Sequence, residues 1–220
     1  MRILTLVLLL GGCSLLTVPP PATPTPPPAV SAVERVLEAT VALEHPDGQS
    51  FCTGAFASGY VVTAAHCVDD AGADAVILRL RNGERGEARV SRLDPDTDVA
   101  VLALTSVIAD RAELPLAPAE AAAGDRVFVV GMPLGWRWFL TQGISSGVHD
   151  CALDSLTCRG LAGTWLLHSA ATSYGNSGGP VLNEYGELVG ITSWVKTVYG
   201  VPNHMSAAAP LAAIRRALNP

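Results

Sequence analysis

Charge is scarce in this sequence: Asp, Glu, Lys and Arg make up 15% of its 220 residues, and the formal balance is −6. With no basic surface to neutralise a phosphate backbone, nucleic acid is excluded as a partner. Metal-binding spacings are missing too. The five histidines, His45, His66, His149, His168 and His204, form neither HExxH nor a pattern of paired CxxC clusters, so no metal or other cofactor is expected. No internal sequence repeat is visible. The apolar run at the start, Ile3 to Leu10, is too short to cross a bilayer as a mature helix.

What is present is apolar and strand-like. Hydrophobic residues reach 49%, enough for a well-filled core. After a leader of about 30 residues, about 190 remain, the size of one all-β domain. Short apolar or alternating runs punctuated by turns start at Thr40 to Glu44 and continue at 53–58, 60–64, 75–80, 88–94, 99–103, 126–130, 143–149, 164–168, 181–183 and 188–194. Many short strands without helices between them imply a barrel or sandwich. The Ala- and Pro-rich stretch Leu114 to Gly124 reads as a crossover, and Ala207 to Leu218 as a C-terminal helix.

The N-terminus reads as an address. Met1-Arg2 and the apolar run form the basic and hydrophobic regions of a secretory signal, and Leu10-Gly11-Gly12-Cys13 resembles a bacterial lipobox with Cys13 as the lipidated residue. Residues 1–12 are then signal peptide, and the exported protein is expected in the bacterial cell envelope, held to a membrane through the lipid; the alternatives are a secreted protein with a plain signal cleaved elsewhere, or an uncleaved anchor from Ile3 to Val18. Seven of the ten residues from Pro19 to Pro28 are proline, so 13–32 reads as an extended tether ahead of a folded domain at 33–220.

Three motifs carry chemistry: TAAHC at Thr63 to Cys67, DPDTDVAVL at Asp94 to Leu102, and YGNSGGPV at Tyr174 to Val181. A serine hydroxyl is a poor nucleophile until an imidazole takes its proton and a sheltered carboxylate orients that imidazole. Ser177, His66 and Asp98 supply the three groups. Glycines 175, 178 and 179 let the chain turn sharply at Ser177, so that the amides of Gly175 and Ser177 can converge on an oxyanion. Taken singly, SGG is a turn, His before Cys is structural and DPDTD is a solvated bend; it is their conjunction that points to acyl transfer.

On these motifs the chain resembles the trypsin/chymotrypsin-like serine proteases over about residues 33 to 218. GNSGGP, VGMPLG at Val130 to Gly135 and TQGISSGV at Thr141 to Val148 resemble the HtrA-type and glutamyl-endopeptidase-like branch. Cys52 and Cys67 around His66, and GITSW at Gly190 to Trp194, look more like trypsin. The resemblance implies two packed six-stranded antiparallel β-barrels (33–115 and 120–206) with a C-terminal helix (207–218); HtrA-type enzymes usually append a PDZ domain, for which the sequence is expected to leave little room. It implies a serine endopeptidase acting on polypeptides, with a catalytically silent binding protein as the alternative. Asn176 stands where trypsin-like zymogens carry Asp, so no N-terminal cleavage is expected to be required.

The resemblance also places a substrate pocket around Ala171, Ser193, Trp194 and Val195. With no charge there and a Val narrowing it, the pocket suits small or medium apolar side chains, while His168 and Thr172 keep an acidic preference open. Setting Cys13 aside, four cysteines allow three pairings; Cys52–Cys67 and Cys151–Cys158 are favoured. Trp136, Trp138 and Phe139 cluster in one loop, where burial is expected over a contact surface.

Overall fold

The structure, a computed structural model, describes residues 29–45, 47–69, 75–151, 163–198 and 201–219. The signal segment, Cys13, the proline run, Cys158 and the side chain of Val195 lie outside the described residues.

Helix α1 (Ala29–Glu38) leads into the first barrel: β1 (Thr40–Glu44), β2 (Ser50–Ala57), β3 (Tyr60–Thr63), β4 (Val76–Arg79), β5 (Arg85–Asp94) and β6 (Val99–Leu104), with the single-turn α2 (His66–Asp69) after β3. The second barrel contains β7 (Arg126–Gly131), β8 (Phe139–Asp150), β9 (Thr164–His168), β10 (Pro180–Leu182), β11 (Leu188–Val198) and β12 (Val201–Pro210), and α3 (Leu211–Leu218) ends the chain. All the strand pairings within the barrels are antiparallel. Barrel 1 closes in the order β1-β2-β3-β6-β5-β4, and barrel 2 closes as β7-β8-β9-β12-β11-β10, the same topology. The duplication is structural, without the internal sequence repeat that would have advertised it.

Period-two alternation explains the continuous apolar runs. In β6, Ala100 and Leu102 point into barrel 1 with Val41, Phe56 and Leu78, whereas Val99 and Val101 point into the seam between the barrels. That seam also takes Val62, Val130, Leu188 and Ile191, with Val36 of α1 and Ile214 and Leu218 of α3. Barrel 2 has its own core of Val127, Val129, Leu166, Val181, Val189 and Ala208. Both faces of these strands are dry, so each buried Val or Leu contributes about 1.5–3 kcal/mol of burial.

Two expectations are corrected. The C-terminal helix starts at Leu211; residues 207–210 belong to β12, where Ala207 and Ala208 pair with Leu167 and Leu166 of β9 and Ala209 pairs with Ile191 of β11. Alanine is the strongest helix former, but propensity is a weak constraint, and the barrel's need for a closing strand overrides it. Pro210 precedes the helix, and the Glu120 carboxylate accepts the amides of Leu211 (3.1 Å) and Ala212 (2.7 Å), satisfying two of its orphan donors. In the aromatic loop, Trp136 is 72% and Phe139 49% exposed, and only Trp138 is half-buried. The loop lies on the outside of the seam, whose interior the aliphatic strands have already filled.

Candidate active site

His66 begins α2 and Asp98 ends the DPDTD turn before β6, so the pairing of β3 with β6 brings the two together. His66 Nδ1 lies 2.9 Å from Asp98 Oδ2 and 3.0 Å from Oδ1, and the His66 amide donates to Oδ1 at 3.0 Å. Asp98 adopts a φ of 54°, a left-handed conformation that Asp tolerates better than most residues. Its carboxylate is mostly shielded, with 13% side-chain exposure against 48% for His66. Burial raises the Asp98 pKa, but the hydrogen bonds from the His66 ring, Ser193 and the His66 amide outweigh it, and the carboxyl sits below its ordinary value.

Ser193 was expected to line the substrate pocket. Its hydroxyl donates to Asp98 Oδ2, and its carbonyl accepts from Ser177 Oγ at 3.4 Å. One residue of β11 therefore touches both the carboxylate and the serine. Trp194 packs edge-on against Trp165, ring centroids 5.8 Å apart, and Ala171 is exposed with its carbonyl accepting from Thr141. Thr172, which kept an acidic preference open, shares a hydrogen bond of 2.6 Å between its Oγ1 and Ser206 Oγ. His168 is buried on β9.

The loop around Ser177 is anchored from both barrels. Thr53 of β2 donates its amide to the Ser177 carbonyl (2.8 Å) and its hydroxyl to the Gly175 carbonyl (2.7 Å); Gly178 donates to Thr192 (2.7 Å). Gly178 has φ 79°, and a Cβ there would stand 2.0 Å from Thr63 Oγ1, so only glycine fits beneath the serine. Asn176 closes a tight turn, donating its amide to Ser173 O and accepting the Ser173 amide through Oδ1. Among the described residues, the amides of Gly175 and Ser177 donate to no backbone carbonyl. Two donors beside one hydroxyl is the arrangement that stabilises an oxyanion.

The Sγ atoms of Cys52 and Cys67 are 1.92 Å apart next to the His66 ring. Cys151 is buried at the end of β8.

The model of the trypsin-like peptidase domain matches residues 51–191, more than half the chain. The chain belongs to the trypsin-like peptidase family. The relatives of this family member are of the HtrA type. It is 33% identical over 145 residues to the serine protease Do-like HtrB of Bacillus subtilis (64% of this chain, 31% of that protein). It is 34% identical to the “Probable periplasmic serine endoprotease DegP-like” of Ectopseudomonas mendocina (70% and 31%). Among solved structures, the serine endoprotease of Yersinia pestis superposes with TM-score 0.69 at 27% identity (88% of this chain, 66% of that one). The HtrA-type protease AlgW, solved with a decapeptide, does so at 0.71 and 25% (87% and 67%). The peptidase-like chain spans about a third of the length of the curated relatives it matches. Among the described residues, no helix is long and apolar enough to cross a membrane.

Proposed function

We propose that this chain is a serine endopeptidase in which Ser177 is the nucleophile, His66 the general base and Asp98 the carboxylate that orients it. The observation that carries the reading is the Asp98 carboxylate gripping His66 Nδ1 while Ser193 bridges from Asp98 to Ser177. With Nδ1 donating to Asp98, the other ring nitrogen takes the Ser177 proton as Oγ attacks the peptide carbonyl. The Gly175 and Ser177 amides receive the oxyanion. The proton then passes from His66 to the leaving amine, and water hydrolyses the acyl-enzyme by the same steps.

No new N-terminus is needed, because Asn176 closes the turn with its own side chain. Polypeptides are the substrates, a reading supported by the decapeptide in AlgW. Ala171, Thr172 and Ser206 carry no charge, which argues against cleavage after Arg or Lys, and the sequence reading in which Val195 narrows the pocket favours small or medium apolar side chains; fastest cleavage of an Arg peptide over Ala, Val and Glu peptides would contradict it. The periplasmic name of one relative supports an exported protein. We place it in the cell envelope, lipid-anchored through Cys13 and carrying Cys52–Cys67 and Cys151–Cys158 disulfides. Palmitate labelling lost on Cys13→Ala tests the anchor, and alkylated masses with and without reduction test the disulfides.

The deciding experiment is labelling with a fluorophosphonate probe, with Ser177→Ala as the control. Loss of a triad serine lowers kcat by about 10⁶, so a labelled parent and a silent variant are expected. A folded parent that takes no label would refute the assignment.

A further inference from the structure

The loop between β7 and β8 is tied to barrel 1 on one side and to the Ser177 loop on the other. On the first side, Arg137 donates to Glu44 Oε1 of β1 (2.9 Å) and to the Gly48 carbonyl (3.4 Å). The Trp138 indole N–H donates to the Thr40 carbonyl of β1 (3.0 Å). Glu44 has no side-chain exposure, and its Oε2 also takes Arg79 (3.2 Å) and Arg85 (3.5 Å), so a fixed carboxylate receives Arg137. On the second side, the Leu134 amide donates to the Tyr174 carbonyl (2.8 Å), and the Met132 amide to the Gly175 carbonyl (3.4 Å).

A trans peptide is planar, with its C=O and N–H pointing in opposite directions. The carbonyl of Tyr174 and the amide of Gly175 belong to one peptide unit. Turning that carbonyl onto Leu134 turns the Gly175 N–H away from the loop, free of any backbone acceptor among the described residues. The reverse orientation would put a carbonyl where the oxyanion must sit. Leu134 aims its amide from φ 52°, a region non-glycine residues seldom occupy, with its side chain 72% exposed. The Leu134 side chain does little to hold that conformation; the turn bonds from Gly135 N to Met132 O (3.2 Å) and from Trp136 N to Pro133 O (2.9 Å) shape the turn, and the contacts with barrel 1 fix where it sits.

We propose that Arg137 and Trp138 are positioning residues: they latch the β7–β8 loop onto barrel 1, and through the Leu134 amide they keep the Tyr174–Gly175 peptide in the orientation that forms the oxyanion hole. The latch is built within the chain. This rests on the assignment of the Gly175 amide as an oxyanion donor. Arg137 touches no reacting atom; its influence travels through the loop backbone.

The test compares the full chain with Arg137→Ala and Trp138→Phe, measuring kcat and KM on a short peptide ester, fluorophosphonate labelling rate and thermal midpoint. Arg137→Ala leaves Glu44 paired with Arg79 and Arg85, and Trp138→Phe keeps the ring and deletes only the donor. A lost oxyanion donor costs about 10² to 10³ in kcat, and a misplaced one less, so Arg137→Ala should lower kcat by about 10- to 100-fold with KM within about threefold. Trp138→Phe should lower kcat by about three- to tenfold in the same way. Added guanidinium at tens of millimolar should restore part of the Arg137→Ala loss, which a merely unfolded variant would not show. Wild-type kcat and labelling rate in both variants, or a loss that follows unfolding and resists rescue, would overturn the latch. A parent that takes no label overturns the active-site assignment, and the latch with it.

Discussion

Lowering the pH should destabilise this protein through one residue. His168 on β9 is 2% exposed, and neither ring nitrogen has a hydrogen-bond partner among the described residues. Its register neighbours are Ser206 of β12 and Ser145 of β8; the Ser206 hydroxyl is engaged with Ala170 and Thr172, and the Ser145 hydroxyl accepts from the Gly147 amide. Burial lowers the His168 pKa from 6.5 to about 4. In the unfolded chain the imidazole regains its ordinary value. Between the two values the unfolded state binds a proton that the native state refuses, so stability falls as pH drops through 6.5 and stops falling below about 4. The loss amounts to about 3 kcal/mol, or about 6 to 12 °C in Tm for a domain of this size. Urea unfolding at pH 7, 5.5 and 4 measures it, with His168→Leu as reference. The parent should lose about 3 kcal/mol more than the variant between pH 7 and 4. Parallel curves would show that the ring is solvated or paired in the native state, and would refute the reasoning.

Other perturbations read other parts of the site. Gly178→Ala places a Cβ 2.1 Å from the Thr53 carbonyl at a φ of 79°, and should abolish labelling and lower stability by about 2 kcal/mol or more; a folded variant labelled at the parent's rate contradicts the fit. Ser193→Ala removes one hydrogen bond to the Asp98 carboxylate and should lower kcat about tenfold with KM unchanged. An unchanged kcat in that variant would remove Ser193 from the site. Glu120→Ala strips the α3 amides of their acceptor and should cost about 1 kcal/mol in urea unfolding, with labelling unaffected.

The strand list was legible because most strands are short apolar or alternating runs bounded by turns, and period two survives any tertiary context. β12 was not. Its Ala207–Ala209 run has no β signature, and it is a strand only because β9 and β11 both need a partner there. Trp136 was misread for the opposite reason: an aromatic residue predicts burial only if the core has room for it. The role of Ser193 was hidden by its separation of 95 residues from Asp98, across which no spacing rule operates.

By itself the sequence determined the chemistry available: a serine framed by glycines, an imidazole and a carboxylate, each marked by local residue types that a tight turn or a buried strand requires. Conformational constraints act over a few residues, so glycine at 175 and 178 and Asn at 176 can be read directly. The tertiary structure decided which groups meet. It set Ser193 against Asp98, turned the Tyr174 carbonyl onto Leu134, and brought Arg137 to Glu44 across the barrel seam. Hydrogen bonds and buried charges depend on distance in space, and in two closed barrels that distance is fixed by strand order and register, which no local pattern encodes.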